Sequence, residues 1–223
     1  MRERADPVLA AVIFALFART FLFQAFEVPS GSMEKTVLAG DRLLVNRFVY
    51  SERGARGSGL LGRLLPARPL RRGDVVVFRF PEDPHRDFIK RVIALPGETV
   101  AIRDKRVWVD GRELLEPYAF HADDTTWPDD PEIADVRRMR DQLPERRVPP
   151  DTYFVLGDNR DASNDSRFWG PVPDAYIEGR ALFVYWSVTP RSSVAPPARG
   201  VPLASPVDLL RRTRWDRAFV PVR

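Results

Sequence analysis

Cysteine is absent from this chain of 223 residues, and histidine occurs only at His85 and His121. Without cysteine no disulfide can form, although this absence does not identify the redox compartment. Too few cysteines and histidines are present for the ligand spacings of a zinc site. The composition therefore excludes a disulfide scaffold and a zinc protein, and we expect neither a metal ion nor another cofactor.

Lysine is also scarce, because only Lys35, Lys90 and Lys105 occur among the 35 basic residues. The other basic residues are arginines, and many of them concentrate in residues 51–72 and 191–223. Basic patches of this kind suit either a nucleic acid or an anionic membrane surface.

Long uninterrupted apolar runs are missing, and the best candidate lies at the N-terminus. Residues 8–18 are wholly apolar, and continuation past Arg19 to Phe26 adds only that one charge. A membrane-spanning helix needs about 20 residues, and an arginine near its end can reach the interface. No small-residue cleavage site follows, so the pattern predicts an uncleaved anchor within residues 1–26. The basic residues before it favour a cytoplasmic N-terminus.

Short stretches rich in β-branched and aromatic residues follow the anchor and predict strands. They are residues 42–50, 74–80, 88–95, 99–102, 106–109, 152–156 and 181–188. Asp104-Lys105 and Asp110-Gly111 predict tight turns between strands. The 21 prolines and 13 glycines also disfavour a helical bundle. The predicted fold is therefore mostly β, with an antiparallel sheet and a single N-terminal transmembrane helix.

Three segments interrupt the strand pattern. Residues 51–72 are rich in glycine and arginine, and residues 191–206 are rich in proline and read as a linker or loose arm. Residues 119–148 are polar and net acidic. The last segment contains one possible amphipathic helical face, formed by Ile133, Val136, Met139 and Leu143.

These patterns predict three parts of the chain. A cytoplasmic stub and anchor helix occupy residues 1–26. A β-rich domain occupies residues 27–190 and contains a polar insertion at about 119–148. A proline-rich and basic segment occupies residues 191–223.

A candidate nucleophile lies directly after the anchor, in V-P-S-G-S-M-E-K-T at residues 28–36. A serine hydroxyl needs a neighbouring base before it attacks well. His85 lies in a turn-like sequence and His121 in the polar insertion, so we expect both to be solvated. Lys35 forms an S-x-x-K motif with Ser32, as in penicillin-interacting hydrolases. Lys90 lies among apolar residues of a predicted strand.

Burial distinguishes the two lysines as candidate bases. A lysine base must be neutral, and lowering its pKa by about three from 10.4 requires about 4 kcal/mol of desolvation. Lys90 has Phe88, Ile89, Val92 and Ile93 around it, whereas Lys35 follows Glu34. The S-D-N and K-T-G motifs that accompany S-x-x-K are missing. The sequence setting favours Lys90 as the base. It leaves open the alternative that Lys90 is a half-buried surface lysine on an edge strand with no catalytic role.

The polar stretch G-D-N-R-D-A-S-N-D-S-R-F-W-G at residues 157–170 is the last of four stretches that together form a recognisable pattern. Alone it could be an Asx-rich turn, and it lacks the glycine and distal glutamate of a calcium loop. The set also contains P-S-G-S-M (29–33), R-R-G-D-V-V-V-F (71–78) and D-F-I-K-R-V-I-A-L-P-G-E (87–98). In content and order it resembles the four sequence boxes of bacterial type I signal peptidases, over about residues 10–190.

This resemblance implies a membrane-bound serine endopeptidase with a Ser/Lys dyad. Such enzymes cleave N-terminal signal peptides from exported preproteins at the outer face of the membrane. The implied location is the plasma (inner) membrane, with a single pass and an extracytoplasmic catalytic domain. The expected partners are signal peptides of secretory preproteins and the lipid bilayer, with no nucleic acid and no metal.

The resemblance also implies roles for individual residues. Ser32 matches the nucleophile and Lys90 the general base, while Ser30 and the Ser32 backbone N–H match the oxyanion hole. Ser163 matches a serine that orients the lysine. The matched ion-pair residues are Asp165 with Arg167, and Asp158 with Arg91. The matched apolar subsites for small substrate residues are Phe26, Val28, Pro29, Met33, Val37, Phe88 and Ile89.

The chain departs from the family pattern at three positions beside the site. Lys35 and Ala25 stand where the family commonly has proline, and Ala94 stands where it has glycine. Three rival functions differ in their sequence requirements. A self-cleaving repressor-type protease would need a DNA-binding head, for which residues 1–27 are too short. A penicillin-interacting S-x-x-K hydrolase would use Lys35, and an inactive membrane-anchored scaffold would need neither serine nor lysine.

Overall fold

The computed structural model describes residues 23–47, 68–190 and 206–223. Residues 1–22, which form most of the predicted anchor segment, lie outside the described residues, as do residues 48–67 and 191–205. Within the described ranges, no helix is both long enough and apolar enough to cross a membrane.

The large sheet has eight strands, and all of its pairings are antiparallel. Its strands are β1 (Phe23–Glu27), β2 (Asp41–Asn46), β3 (Val75–Phe80), β4 (Asp83–Ala94), β9 (Thr152–Leu156), β10 (Val172–Pro173), β11 (Ile177–Ser187) and β12 (Val220–Pro221). Their order is β1-β2-β11-β3-β4-β9-β10, and β12 also pairs with β11. The prediction of a mostly β, antiparallel fold is thus confirmed.

Strand β1 begins before the predicted end of the anchor segment. Residues 23–26, assigned to the anchor from their hydrophobicity, pair with β2 in the register Phe23↔Asn46 to Phe26↔Leu43. These residues form a strand because their side chains alternate between the core and solvent. Phe26 packs against the core, while Ala25 and Glu27 are exposed.

The second sheet has four strands in the order β7-β6-β5-β8. They are β5 (Thr99–Arg103), β6 (Arg106–Val109), β7 (Arg112–Glu113) and β8 (Leu143–Arg147). Asp104 and Lys105 have φ values of 50° and 67°, and Asp110 and Gly111 have 47° and 72°. Two consecutive positive φ values are typical of the tight turns that join twisted hairpin strands, so both predicted turns are confirmed.

Helices are few and short among the described residues. They are α1 (Asp135–Asp141), α2 (Ser166–Trp169) and α3 (Pro206–Arg212), with 3₁₀ turns at Arg160–Ala162, Asp174–Tyr176 and Trp215–Arg217. The amphipathic face predicted for residues 119–148 is wrong. Val136 is 68% exposed, and Leu143 leaves the helix to begin β8, where it is buried in the core of the second sheet.

A hydrophobic core lies beneath the turn that follows β1. Its buried members come from β2, β3, β4, β11 and that turn: Val28, Met33, Val37, Leu43, Val45, Val75, Val77, Ile89, Ala181 and Val184. Burial of each large aliphatic side chain contributes about 1.5–3 kcal/mol. The turn after β1 is therefore fixed to the sheet by its own apolar residues.

Candidate active site

Ser32 lies in a tight turn between β1 and β2. The N–H groups of Thr36 and Val37 donate to the carbonyl of Met33 at 3.1 and 2.8 Å, and Glu34 N–H donates to Gly31. Met33 and Val37 are fully buried, which ties both ends of the turn to the core. This arrangement fixes the position of Ser32, which is itself only 7% exposed.

Lys90 lies on β4, opposite Val76 of β3, and faces Ser32. Its Nζ is 2.7 Å from Ser32 Oγ and donates a second hydrogen bond to the Ile89 carbonyl at 2.9 Å. The residue is 4% exposed, and its Nζ lies 5.4 Å from the centre of the Phe88 ring. The structure thus brings together the two residues that the sequence matched to nucleophile and base.

Burial lowers the pKa of Lys90 from 10.5 to about 8, because the charged ammonium loses its hydration. The carboxylates of Asp165 and Asp158 oppose this change, and the guanidinium of Arg167 reinforces it. A lysine with this pKa has a substantial neutral fraction in mildly alkaline solution. Its amine can then accept the proton of the adjacent serine hydroxyl.

Arg91 and Asp158 form a buried ion pair directly behind the two groups. Arg91 Nε and Nη2 donate to the two oxygens of Asp158 at 2.7 and 2.6 Å, and both side chains are 1% exposed. Thr36 Oγ1 also donates to Asp158 at 2.6 Å. The carboxylate of Asp158 therefore joins the turn that carries Ser32 to the strand that carries Lys90.

Asp165 and Arg167 form a second buried pair at the start of α2. Arg167 Nε and Nη2 donate to Asp165 at 2.8 and 2.9 Å, and Gly157 N–H donates to it at 3.1 Å. Burial raises the pKa of Asp165, but the charge and hydrogen bonds of Arg167 outweigh this and hold the pKa below its usual value. Arg167 Nη1 also donates to the Arg140 carbonyl at 2.7 Å, so the polar insertion supports this pair.

Ser163 is buried beside Gly157, where its hydroxyl helps to lower the pKa of the neighbouring Asp165 carboxyl. Its Oγ makes no hydrogen bond to Lys90, although the family resemblance implied one; Lys90 Nζ donates to Ser32 Oγ and to the Ile89 carbonyl. The packing here is tight. A Cβ added to Gly157 would meet the Ser163 side chain and would lie 2.5 Å from the Ser32 carbonyl oxygen.

A cleft of about 590 Å³ opens at Ser32 and Lys90. It is lined by Pro29, Ser30, Ser32, Arg86, Asp87, Phe88, Ile89, Lys90, Ala162 and Asn164. Val28, Met33 and Val37, which were matched to substrate subsites, are not brought to this surface. They are at most 1% exposed because the core takes their side chains, and Phe26 packs beside them.

The sequence matching missed the cleft-lining residues Arg86, Asp87, Ala162 and Asn164, and also two residues that hold the Ser32 turn. Asn159 N–H donates to the Ser32 carbonyl at 3.1 Å, and its Nδ2 donates to Glu34 at 3.1 Å. Thr36 donates to Asp158, as described above. Asn159 lies inside the 157–170 box. The signal that could have identified it is its position directly after Asp158, the partner of Arg91.

Lys35 does not take the position of a base. Its side chain is exposed, and its Nζ lies 4.5 Å from the centre of the Phe120 ring. Its φ of 79° is left-handed, a conformation that a proline, with φ near −65°, cannot adopt. A proline at position 35, which is common in the family, would therefore not fit the backbone of this turn.

Neither histidine lines the cleft. His85 lies in the exposed first half of β4 rather than in a turn. His121 is less solvated than the sequence suggested, since its Nδ1 lies 3.7 Å from Asp161. Burial lowers the pKa of His121, and the Asp161 carboxylate opposes that change.

Comparison with known proteins identifies the family. The sequence model of the family described as signal peptidase, peptidase S26, matches residues 1–186. A signal peptidase I of Pseudomonas aeruginosa is 38% identical over 204 residues, which cover 81% of this chain and 70% of that protein. A signal peptidase I of Leptolyngbya laminosa is also 38% identical, with coverage of 88% and 85%.

A solved structure of a signal peptidase I from Enterococcus faecalis is 34% identical, with a TM-score of 0.40, and the match covers 51% of this chain and 97% of that one. The family match extends over most of the chain and includes the turn of Ser32, strand β4 and the 157–170 box. The chain therefore belongs to the signal peptidase family, peptidase S26, a family of peptide hydrolases.

Proposed function

We propose that this chain is a membrane-anchored serine endopeptidase that removes N-terminal signal peptides from exported preproteins. Ser32 is the nucleophile and Lys90 the general base. The observation that carries the proposal is the 2.7 Å contact between Lys90 Nζ and Ser32 Oγ at the base of an open cleft. The lowered pKa of Lys90 supports the base role, because only a neutral amine can take the proton.

The first half of the reaction forms an acyl-enzyme. Ser32 Oγ attacks the scissile carbonyl carbon while its proton passes to Lys90 Nζ. The resulting oxyanion accepts hydrogen bonds from the Ser32 backbone N–H and the Ser30 hydroxyl. The Lys90 ammonium then donates its proton to the leaving amine nitrogen, and the C–N bond breaks.

In the second half, a water molecule replaces the amine. Neutral Lys90 accepts a proton from this water as its oxygen attacks the ester carbon. Collapse of the second tetrahedral intermediate returns the proton to Ser32 Oγ and releases the carboxylate product. The Arg91–Asp158 and Asp165–Arg167 pairs hold Ser32 Oγ and Lys90 Nζ close together in both halves of the reaction. Ser163 packs beside these pairs.

The cleft suits an extended peptide with small side chains. Strand β9 pairs with β4 only from Arg91 onward, so none of the described strands covers the adjoining edge of β4 before that residue. A substrate backbone can add to such an edge. Pro29, Phe88 and Ile89 then form an apolar wall, with the buried subsite residues as its support. Bulky substrate side chains are rejected by overpacking.

The membrane part of the proposal comes from the sequence and the tail. An anchor within residues 1–22 holds the chain in the plasma membrane, with the N-terminus in the cytoplasm. The catalytic domain, which begins with β1 at Phe23, lies on the outer side. In the tail, Leu210, Trp215 and Phe219 are 56%, 64% and 73% exposed. Aromatic residues beside arginines suit a membrane interface, so this tail patch supplies a second lipid contact.

Cleavage of a preprotein by the purified chain in detergent tests the proposal, with mass spectrometry of the new N-terminus. Ser32→Ala and Lys90→Ala should each abolish cleavage, because the two groups act as a unit. The control Lys35→Ala should retain most activity. Cleavage should also rise with pH through an apparent pKa near 8, the value expected for Lys90. Equal losses at Lys35 and Lys90 would instead restore the S-x-x-K alternative.

A further inference from the structure

The C-terminal segment, residues 206–223, is attached to the large sheet next to the active-site turn. Phe183 and Val184 of β11 pair with Pro221 and Val220 of β12. Phe219 N–H also donates to the Val184 carbonyl at 2.7 Å. This segment lies beyond residue 186, where the family match ends. Its contacts therefore need their own explanation.

Asp41, the first residue of β2, is the centre of these contacts. The residue is completely buried, and its carboxylate accepts hydrogen bonds from Arg217 Nη2 at 2.6 Å and from Arg214 Nη2 at 3.2 Å. Ser187 Oγ and the Leu38 N–H donate to it at 2.6 and 2.8 Å. A buried carboxylate without a cationic partner is strongly destabilising, and the tail supplies the two cations that contact Asp41 among the described residues.

The same two arginines also hold the backbone that leads from Ser32 to Asp41. Arg214 Nη2 donates to the Ala39 carbonyl at 2.8 Å, and Arg217 Nη2 donates to the Thr36 carbonyl at 3.1 Å. Thr36 is thus held on two sides, because its hydroxyl donates to Asp158 at 2.6 Å. The tail and the Arg91–Asp158 pair therefore both form hydrogen bonds with Thr36, in the turn that carries Ser32.

We propose that Arg217 and Arg214 are positioning residues of the active site, which fix the turn carrying Ser32 through Asp41 and Thr36. This inference rests on the proposed role of Ser32. Neither arginine lines the cleft, so they act through the turn and not on the substrate. Their effect on rate follows from the sensitivity of nucleophilic attack to small displacements of the attacking atom.

The test compares the full chain in detergent with its Arg217→Met variant, using preprotein cleavage. Loss of the arginine should lower kcat at least tenfold while KM changes less than twofold, because the cleft wall is untouched. The apparent pKa of the pH profile should not move, since the surroundings of Lys90 remain. Arg223→Gln, which removes an exposed charge from the same segment, should leave kcat unchanged.

A second control separates positioning from general destabilisation. Val107→Ala removes core volume from the second sheet and should lower the thermal stability without lowering kcat at a temperature at which the chain remains folded. Arg217→Lys retains the charge, but its side chain is shorter and lacks the Nε donor to Asp41, so its kcat should fall at least threefold. If Arg217→Met does not fold, the kcat of Arg217→Lys is compared with that of the unchanged chain in its place.

The inference is overturned if folded Arg217 variants keep kcat within twofold of the unchanged chain. It is equally overturned if their loss of kcat is no larger than that of Val107→Ala at matched stability. Ser32→Ala, assayed beside them, keeps the two proposals apart. Residual cleavage by that variant would refute the role of Ser32 itself, whatever the tail variants do.

Discussion

Replacing Lys90 by methionine should stabilise the folded chain at neutral pH, although it removes the proposed base. Burial lowers the pKa of this lysine from 10.5 to about 8. A tenfold change in proton affinity corresponds to about 1.4 kcal/mol, so holding the charged lysine in the folded state costs about 3 kcal/mol. Methionine loses the hydrogen bonds to Ser32 and to the Ile89 carbonyl, each of which is worth about 1 kcal/mol. The expected net gain is about 1 kcal/mol.

The pH dependence of this gain follows from the two protonation states. Below pH 8 both the folded and the unfolded chain are protonated, and the unchanged protein suffers the full penalty. Between pH 8 and 10.5 only the unfolded chain retains the proton, so the stability of the unchanged protein rises with pH. Above this window both states are neutral and the penalty is gone. The advantage of Lys90→Met should therefore shrink steadily across it.

Thermal unfolding of both proteins in detergent at pH 7 and pH 10 measures the effect. A gain of about 1 kcal/mol corresponds to about 2–4 °C in Tm for a chain of this size. Lys35→Met, which removes an exposed lysine, corrects for the general loss of charge. A Tm difference between Lys90→Met and the unchanged protein that is the same at both pH values would refute the desolvation argument.

Two further predictions concern the site and the tail. Gly157→Ala should lower kcat by about a hundredfold, because the added methyl group would displace Ser32 by pressing on its carbonyl, and cleavage kinetics of the folded variant check it. Normal kinetics would show that the turn can move without loss. A chain that begins at Phe23 should sediment with anionic phospholipid vesicles at low salt, less at high salt, and less still after Trp215→Ser with Phe219→Ser. Complete recovery in the supernatant at low salt would leave residues 1–22 as the sole membrane attachment.

The strands that carry a local signal were predictable, whereas β1 was assigned to the anchor and the short strands β7, β8, β10 and β12 were not predicted. Alternation and β-branched content predicted β3, β5, β6 and β9 nearly to the residue, and two Asp-containing turns predicted the hairpins. The helix of the polar insertion was not predictable from its apolar spacing. Leu143 is buried by pairing of β8 with β5, and this long-range contact overrides the local helical pattern.

The candidate site was predictable where chemistry restricts the residue type. With only three lysines in the chain, the apolar setting favoured Lys90, and the resemblance to the signal peptidase boxes decided the assignment. The contacts of Ser163 and the burial of Met33 and Val37 depend on packing distances that no spacing encodes. The tail shows the same limit, since Arg214 and Arg217 resemble other surface arginines until the fold places them on Asp41.

The distribution of the site along the chain has a consequence for biosynthesis. A ribosome makes Ser32 early, Lys90 later, the Asp158 and Asp165 carboxylates later still, and Arg217 after all of these. A nascent chain therefore carries the proposed nucleophile long before the groups that hold its turn in place. We expect such a chain to be inert toward itself and toward other proteins in transit across the membrane. We expect proteolytic activity to begin only after Arg217 has been made and has reached Asp41.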